Sequence, residues 1–459
     1  MKLISRNPSK NFKVLGTVEE TKKEVILDKI KIAKAAQKDW QDVGLLSRLE
    51  IMRGLHGLLE KNSDKIANLA SQEMGMPITQ SKDEVASGLN YLDWYLNNAE
   101  KYLTPETTFE SNTEVHKVLY EPKGVVASIT PWNYPFSNFI WQSCQNLIVG
   151  NAVINKPDQN TPLTYKLLEE IIGGSAIPKG VQQFIYGGKE IGKLLVEQDI
   201  DMICFTGSTK TGEYLYKQAA KKMIPIVLEL GGSAPGIVFE DADIDAVIDS
   251  IFFNRFSNSG QICDGLKRLI VHESKMSEVI EKLTIILKNQ VIGDAADERT
   301  TIGPLVNKKQ LSSLIKQLED AKTKGAKIIY GGKQPAELKG SYFEPTLLSN
   351  ITKDMKVWKE EVFGPVLPII SFKTEEQAIE LANNTEYGLG GYVFTTDNKR
   401  FIRVSSQIKT GMVAHNNLIY VIPCNPFGGC KKSGLGRNHG KYGFRDLCDI
   451  KVVAYEKLV

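Results

Sequence analysis

Gly124-Val-Val-Ala-Ser-Ile-Thr130 is a short apolar run bounded by a glycine and a polar residue, and it reads as a buried strand. The pattern repeats downstream. Further strands are expected over 152–155, 181–186, 202–205 and 226–230, with helices between them over 162–172 (opened by Thr161), 190–197 and 211–221. Short apolar strands alternating with helices specify βαβ units on a parallel sheet. Such a sheet binds ligands at the carboxyl ends of its strands.

Around Gly231-Gly232 the chain is expected to cross into a second α/β body. Helices over 242–253, 277–288 and 375–381 alternate there with strands over 269–272, 366–372 and 391–394. Upstream, the first hundred residues read as helical. Thr17-Val-Glu-Glu20 and Ser81-Lys-Asp-Glu84 have the form of capping boxes, and Leu89, Leu92 and Leu96 share one helical face. Segments 116–120 and 449–459 read as strands outside both bodies. Pairing across a subunit interface would cover their edges.

A chain of 459 residues predicts two or three domains. Lys and Arg number 57 against 54 Asp and Glu, a net charge of +3, too small an excess for a protein whose main partner is nucleic acid. Six cysteines in so long a chain are not a disulfide framework and read as reduced thiols. Met1–Pro8 holds no apolar run of a secretory leader, and no stretch nears the roughly 18–20 apolar residues that span a bilayer. A cytoplasmic protein with no membrane partner is expected. No internal repeat, no Walker A sequence, no C-x-x-C and no H-E-x-x-H occurs, so no metal site is expected.

Three segments carry candidate chemistry. Phe256-Ser-Asn-Ser-Gly-Gln-Ile-Cys263 sets a cysteine just after a glycine-containing turn. On that segment alone a small buried hydrophobe is the more economical reading of Cys263. None of the five histidines sits in a motif that marks it as a base. Glu229 ends an apolar strand, where burial would raise its pKa towards that of a working base, and two glycines after it permit a sharp turn and a close approach. An ordinary strand-end carboxylate fits equally well. Thr130-Pro-Trp-Asn-Tyr-Pro-Phe136 holds Asn133 rigidly at a strand end, where it is either an oxyanion donor or a turn amide. Gly187-Gly-Lys-Glu-Ile-Gly192 and Phe205-Thr-Gly-Ser-Thr209 lie where a strand yields to a helix, so their free N–H groups can face a phosphate.

Taken together these segments resemble the aldehyde dehydrogenase superfamily. The match also includes Lys156-Pro with Thr161-Pro162, Leu228-Glu-Leu-Gly-Gly232, Glu360-Glu-Val-Phe-Gly-Pro365, Pro426-Phe-Gly-Gly429 and Ser433-Gly-Leu-Gly-Arg437, in the family's order over nearly the whole chain. Glu73-Met-Gly-Met-Pro77 resembles the succinate-semialdehyde dehydrogenase branch. The resemblance implies a Rossmann-like cofactor domain (1–103 and 123–231), an α/β catalytic domain (232–432) and a small oligomerisation element (104–122 and 433–459) of a homodimer or homotetramer. It implies Cys263 as nucleophile, Asn133 with the Cys263 N–H as oxyanion hole, and Glu229 as the base that hydrolyses a thioester. Trp132, Lys156, Gln159, Thr206, Gly207, Ser208, Leu230, Glu361 and Phe363 fall at cofactor positions. Tyr134, Trp141 and Phe427 fall at substrate-pocket positions.

The sequence departs from the family in four places. Gln159 replaces a glutamate common in NAD-preferring members; a neutral amide does not repel a 2′-phosphate, and Lys156 can pair with one. NADP as well as NAD is therefore expected. Trp141 replaces an arginine common where the substrate bears a carboxylate, which favours a neutral aliphatic, aromatic or amino aldehyde. Succinate semialdehyde is the alternative, with Lys267 or Arg268 as a compensating cation. Asn438 replaces a proton-relaying glutamate. Asp264, directly after the nucleophile, is expected to point away from the sulfur. Rival functions are a thiol hydrolase or acyltransferase using Cys263, and a catalytically silent homologue.

Overall fold

Five strands of the alternating segment, Val125–Ile129, Ala152–Lys156, Gln182–Phe184, Met202–Thr206 and Ile226–Glu229, pair in parallel in a computed structural model that describes residues 1–457. Across the sheet they run third, second, first, fourth, fifth, the strand order of a Rossmann sheet. Their apolar side chains are buried on both faces, as a sheet covered by helices on each side demands. The order reverses between Val125–Ile129 and Met202–Thr206. The crevice at their carboxyl ends is where Thr130–Asn133 and Thr206–Ser208 emerge.

After Gly231-Gly232 the chain enters a second sheet. Seven strands lie in the order Lys327–Tyr330, Thr346–Ser349, Val366–Phe372, Leu266–His272, Ala234–Val238, Tyr392–Phe394, Ala414–His415, parallel except for the first. A third sheet is antiparallel, with Glu114–Pro122 between Glu106–Glu110 and Cys448–Glu456. The two strands expected to seek partners across an interface thus pair with each other inside one chain. Leu458 and Val459, also expected in the terminal strand, lie outside the described residues. Gly434–Leu435 joins the Rossmann-like sheet instead, antiparallel to Ile226–Glu229.

Both capping boxes are corrected. Thr17 lies in the strand Lys13–Glu19, which pairs with Lys2–Asn7, and helix begins only at Lys23. The helix Ile78–Leu103 starts before Ser81, whose hydroxyl donates to the Ala67 carbonyl at 2.8 Å. Glu84 instead accepts from the Ser137 N–H at 3.0 Å. The S-x-x-E pattern is used here for tertiary contacts rather than for a helix end. Leu89, Leu92 and Leu96 are buried on one face, as read.

Glu73 has a structural role. Its carboxylate accepts from the Leu163 N–H (2.9 Å), the Thr164 N–H and hydroxyl (2.7 Å each) and the Ser5 hydroxyl (2.6 Å). It caps the helix Pro162–Gly173, a role expected of Thr161, whose side chain makes no cap bond. Glu73→Ala leaves these buried donors without an acceptor. A stability loss of about 2–4 kcal/mol is expected, read as a lower urea midpoint. An unchanged midpoint would show that the cap is dispensable.

Candidate active site

The helix Ile244–Phe256 runs into a turn whose residues Asn258 (φ 48°), Ser259 (φ 53°) and Gly260 (φ 73°) are all left-handed. Two non-glycine residues in that region are strained, and only surrounding contacts keep them there. The contacts are specific. The Asn258 N–H donates to Gln80 Oε1 (2.7 Å), the Ser259 hydroxyl to the Gly303 carbonyl (2.8 Å), and the Val306 N–H to Gln261 Oε1 (3.0 Å). A Cβ on Gly260 would overlap the Gly364 carbonyl. This turn delivers Cys263 to the start of the strand Leu266–His272.

Asn133 comes from the other sheet. Its Nδ2 donates one hydrogen to the Gln261 carbonyl at 3.0 Å, and Asn258 Nδ2 donates back to the Asn133 carbonyl at 3.0 Å. The second hydrogen of that amide has no protein partner among the described residues. Glu229, at the end of its strand, is buried, and neither carboxylate oxygen has a partner among the described residues. Gly428 leaves room for one of them. Cys263, Asn133 and Glu229 all line one cavity of about 320 Å³, together with Tyr134, Trp141 and Phe427. The sheet ends and the turn thus bring together all six residues expected at the chemical and substrate positions.

The cavity is acidic. Asp83, Glu84, Glu229 and Asp264 line it, and no Lys, Arg or His does among the described residues. Burial pushes the Glu229 carboxyl well above the usual carboxylate range; Arg437 opposes this and Asp264 adds to it. Burial raises the Glu84 carboxyl to about 8. Burial also pushes the Cys263 thiol well above its ordinary value, Asp264 pushes it further and Lys267 pulls it back.

Asp264 does not point away from the sulfur. Cys263 Sγ donates towards Asp264 Oδ1 at 3.8 Å, because both side chains project into the same cavity. Two full negative charges at that separation would repel by about 4 kcal/mol at an effective dielectric constant of about 20. Neither expected compensating cation reaches the cavity. Arg268 is spent on the carbonyls of Ser233, Leu381 and Ala382 and lies over the Trp358 ring. Lys267 is fully buried, donates to the Gly232 and Cys263 carbonyls (3.0 Å each) and pairs with Glu361.

Glu361 faces the cofactor side. It also accepts from the Gly232 N–H at 3.1 Å and occupies space that a Cβ on Gly231 would fill. Phe363 stands edge-on to Trp132, with ring centroids 5.7 Å apart. Lys156 is buried, its stem beside Gly192, and exposed Gln159 lies beside Gly188, so both flank the start of the helix Lys189–Glu197. Ser208 and Gly207 lie just before the helix Thr209–Lys222, and Leu230 packs beneath it against Gly212. Two helix starts with free N–H groups, side-chain-free Gly231 and a buried lysine fit a nicotinamide dinucleotide along this crevice. Thr206, also expected at the cofactor, lies on the wall of the catalytic cavity. Strand alternation puts it on the face with Cys204, where it lines the catalytic cavity and bonds the Gln142 amide at 2.6 Å.

Several further residues line or support the site in ways the sequence did not signal. Asp83 and Glu84 sit on a helix more than 100 positions from Cys263. The Tyr392 hydroxyl donates to the Asp264 carbonyl (3.1 Å) and accepts from the Tyr420 hydroxyl (2.9 Å). His439 packs behind Trp141 with ring centroids 4.6 Å apart, and burial lowers its pKa to about 3, so it stands as a neutral imidazole. Asn438 lines the cavity, and its backbone pairs with that of Phe427 in both directions.

The comparisons agree with this geometry. A family model described as the aldehyde dehydrogenase family matches residues 2–453. Aminoaldehyde dehydrogenase 1, peroxisomal, of Pisum sativum is 36% identical over 97% of this chain and 91% of its own length. Succinate-semialdehyde dehydrogenase, mitochondrial, of Mus musculus is 35% identical over 96% of this chain and 85% of its own. A crystal structure described as an E. coli NADP dependent enzyme superposes with a TM-score of 0.96 at 32% identity, covering 100% of this chain and 95% of that one.

Gly232 tests how tightly the turn is held. A Cβ there would overlap the Cys263 backbone carbonyl, which has no flexible atom to move aside. Gly232→Ala is expected to lower aldehyde turnover by about 100-fold, because displacing a reacting group by ~1 Å costs that much. Gly173→Ala, where a Cβ meets nothing within 4 Å, is the control and keeps full turnover. Full activity of Gly232→Ala would contradict the close approach.

Proposed function

The chain belongs to the aldehyde dehydrogenase family, an NAD(P)-dependent oxidoreductase family, and on that premise we propose that it converts a neutral aliphatic, aromatic or amino aldehyde to the carboxylic acid. The convergence of Cys263, Asn133 and Glu229 on one cavity carries the reading. The Cys263 sulfur attacks the aldehyde carbon. The free Asn133 amide hydrogen and the Cys263 backbone N–H hold the resulting oxyanion. Bound oxidised nicotinamide supplies the hydride acceptor that leaves a thioester on Cys263. Glu229 then takes a proton from the water that hydrolyses this thioester; neither of its carboxylate oxygens is engaged by another group among the described residues.

In this reading residues 1–103 and 123–231 hold the cofactor, 232–432 carry the nucleophile, and 104–122 with 433–459 assemble a homodimer or homotetramer in the cytoplasm. Trp132, Lys156, Gln159, Gly207, Ser208, Leu230, Glu361 and Phe363 contact the cofactor. The uncharged Gln159 beside Lys156 supports acceptance of NADP as well as NAD. The cavity lining supports the choice of aldehyde. A substrate carboxylate entering among Asp83, Glu84, Glu229 and Asp264 finds no cation to pair with. An ammonium finds carboxylates and the faces of Tyr134, Trp141 and Phe427.

The test is a panel of aminobutanal, hexanal, benzaldehyde and succinate semialdehyde, each with both cofactors, followed by reduced-nicotinamide absorbance. We expect kcat/KM for the carboxylate-free aldehydes to exceed that for succinate semialdehyde by about tenfold or more, equivalent to ~1.4 kcal/mol. We also expect turnover with NADP. Preference for succinate semialdehyde would overturn the substrate class, and strict NAD use would overturn the cofactor reading.

A further inference from the structure

We propose that Asp264 is the base that receives the Cys263 proton as the sulfur attacks the aldehyde. The proposal rests on Cys263 being the nucleophile. The sulfur and Asp264 Oδ1 face each other at 3.8 Å inside the cavity, with the thiol as donor. Asp264 is held there. Its carbonyl accepts from the Tyr392 hydroxyl at 3.1 Å, which accepts in turn from the Tyr420 hydroxyl at 2.9 Å, and the strand Leu266–His272 begins two residues later.

The groups that bear on the Asp264 carboxyl are Cys263 beside it, Lys267 on the strand that follows, Tyr91 on the helix Ile78–Leu103, Tyr134, Tyr392, Tyr420, and Glu229 from the other sheet. Lys267 is the one cation among them, and it is paired with Glu361. Loss of the thiol proton to solvent would therefore place two adjacent negative charges on one wall of the cavity. Transfer within the pair avoids this. The S–H bond breaks and its proton goes to Oδ1, a sulfur electron pair forms the S–C bond, and the carbonyl π pair moves to oxygen. Before the step the carboxylate carries one negative charge; after it the alkoxide, held by Asn133 and the Cys263 N–H, carries the same charge. Burial raises the Asp264 carboxyl above its ordinary range, which improves it as an acceptor. The other role open to a carboxylate here is simple repulsion, which would only hinder the thiolate.

Asp264→Asn separates the two roles. It keeps the shape and removes the base. We expect kcat/KM for hexanal at neutral pH to fall about 100-fold, with the deficit shrinking as pH rises and the thiol ionises unaided. NAD(P) binding, followed by protein fluorescence, stays unchanged. Asp264→Glu restores part of the loss. Equal or higher kcat/KM for Asp264→Asn at neutral pH, with iodoacetamide alkylation of Cys263 beginning at lower pH than in the wild type, would overturn the proposal in favour of repulsion. A wild-type measurement needs no variant to fold. Thiolate absorbance should appear only above the pH at which kcat/KM has already reached its plateau, and coincidence of the two titrations would overturn the proposal. Retained turnover in Cys263→Ala is a different failure, since it removes the nucleophile and not just its base.

Discussion

The hydrogen bond from Asn133 Nδ2 to the Gln261 carbonyl, with its reciprocal from Asn258 to the Asn133 carbonyl, ties the end of one sheet to the turn that opens the other. The turn is not a conformation those residues prefer. Asn258 and Ser259 sit in the left-handed region and stay there because Gln80, Gly303, Val306 and Asn133 all bond to it. The same contacts place the Cys263 carbonyl against Gly232 and under the Lys267 ammonium. Strain in the backbone is thus converted into position for the sulfur. The residues that supply the restraint come from a helix, a loop and the end of the first sheet, so the site exists only when the whole fold is assembled.

Electrostatics follow from this placement. The cavity gathers four acidic side chains and a thiol, with no cation on its wall among the described residues. The two basic residues closest in sequence are held elsewhere, Arg268 by backbone carbonyls and Lys267 by Glu361. Such a site resists every additional negative charge and tolerates proton transfers that leave its total charge unchanged. That one condition bears on the aldehyde it accepts and on how its thiol loses a proton.

The Rossmann-like sheet was legible because its strands are short apolar runs punctuated by glycine and proline, whereas Ala234–Val238, Thr346–Ser349 and Ala414–His415 of the second sheet were not. Local pattern placed Asn133, Glu229 and Cys263 at a strand end or turn but left the chemistry of each open; only the family resemblance gave them roles. What failed depended on distance or on a single torsion. Thr17 and Ser81 match a capping pattern that their neighbours overrule, one within a hairpin and one inside a helix. The edge strand Lys327–Tyr330 has three exposed residues of four, so no period-two alternation marks it. The cap on the helix Pro162–Gly173 comes from Glu73, some ninety residues upstream. The direction of Asp264 is one side-chain rotation, and His439 reaches Trp141 only through tertiary packing.

The central claim is that Cys263 carries the substrate as a thioester which Glu229 helps to hydrolyse. Glu229→Gln enzyme mixed with hexanal and oxidised cofactor, quenched in acid and digested, tests it most directly by peptide mass. The account predicts a Cys263 peptide heavier by one hexanoyl group and one equivalent of reduced nicotinamide per subunit. Continued cofactor reduction with an unmodified Cys263 peptide would contradict it.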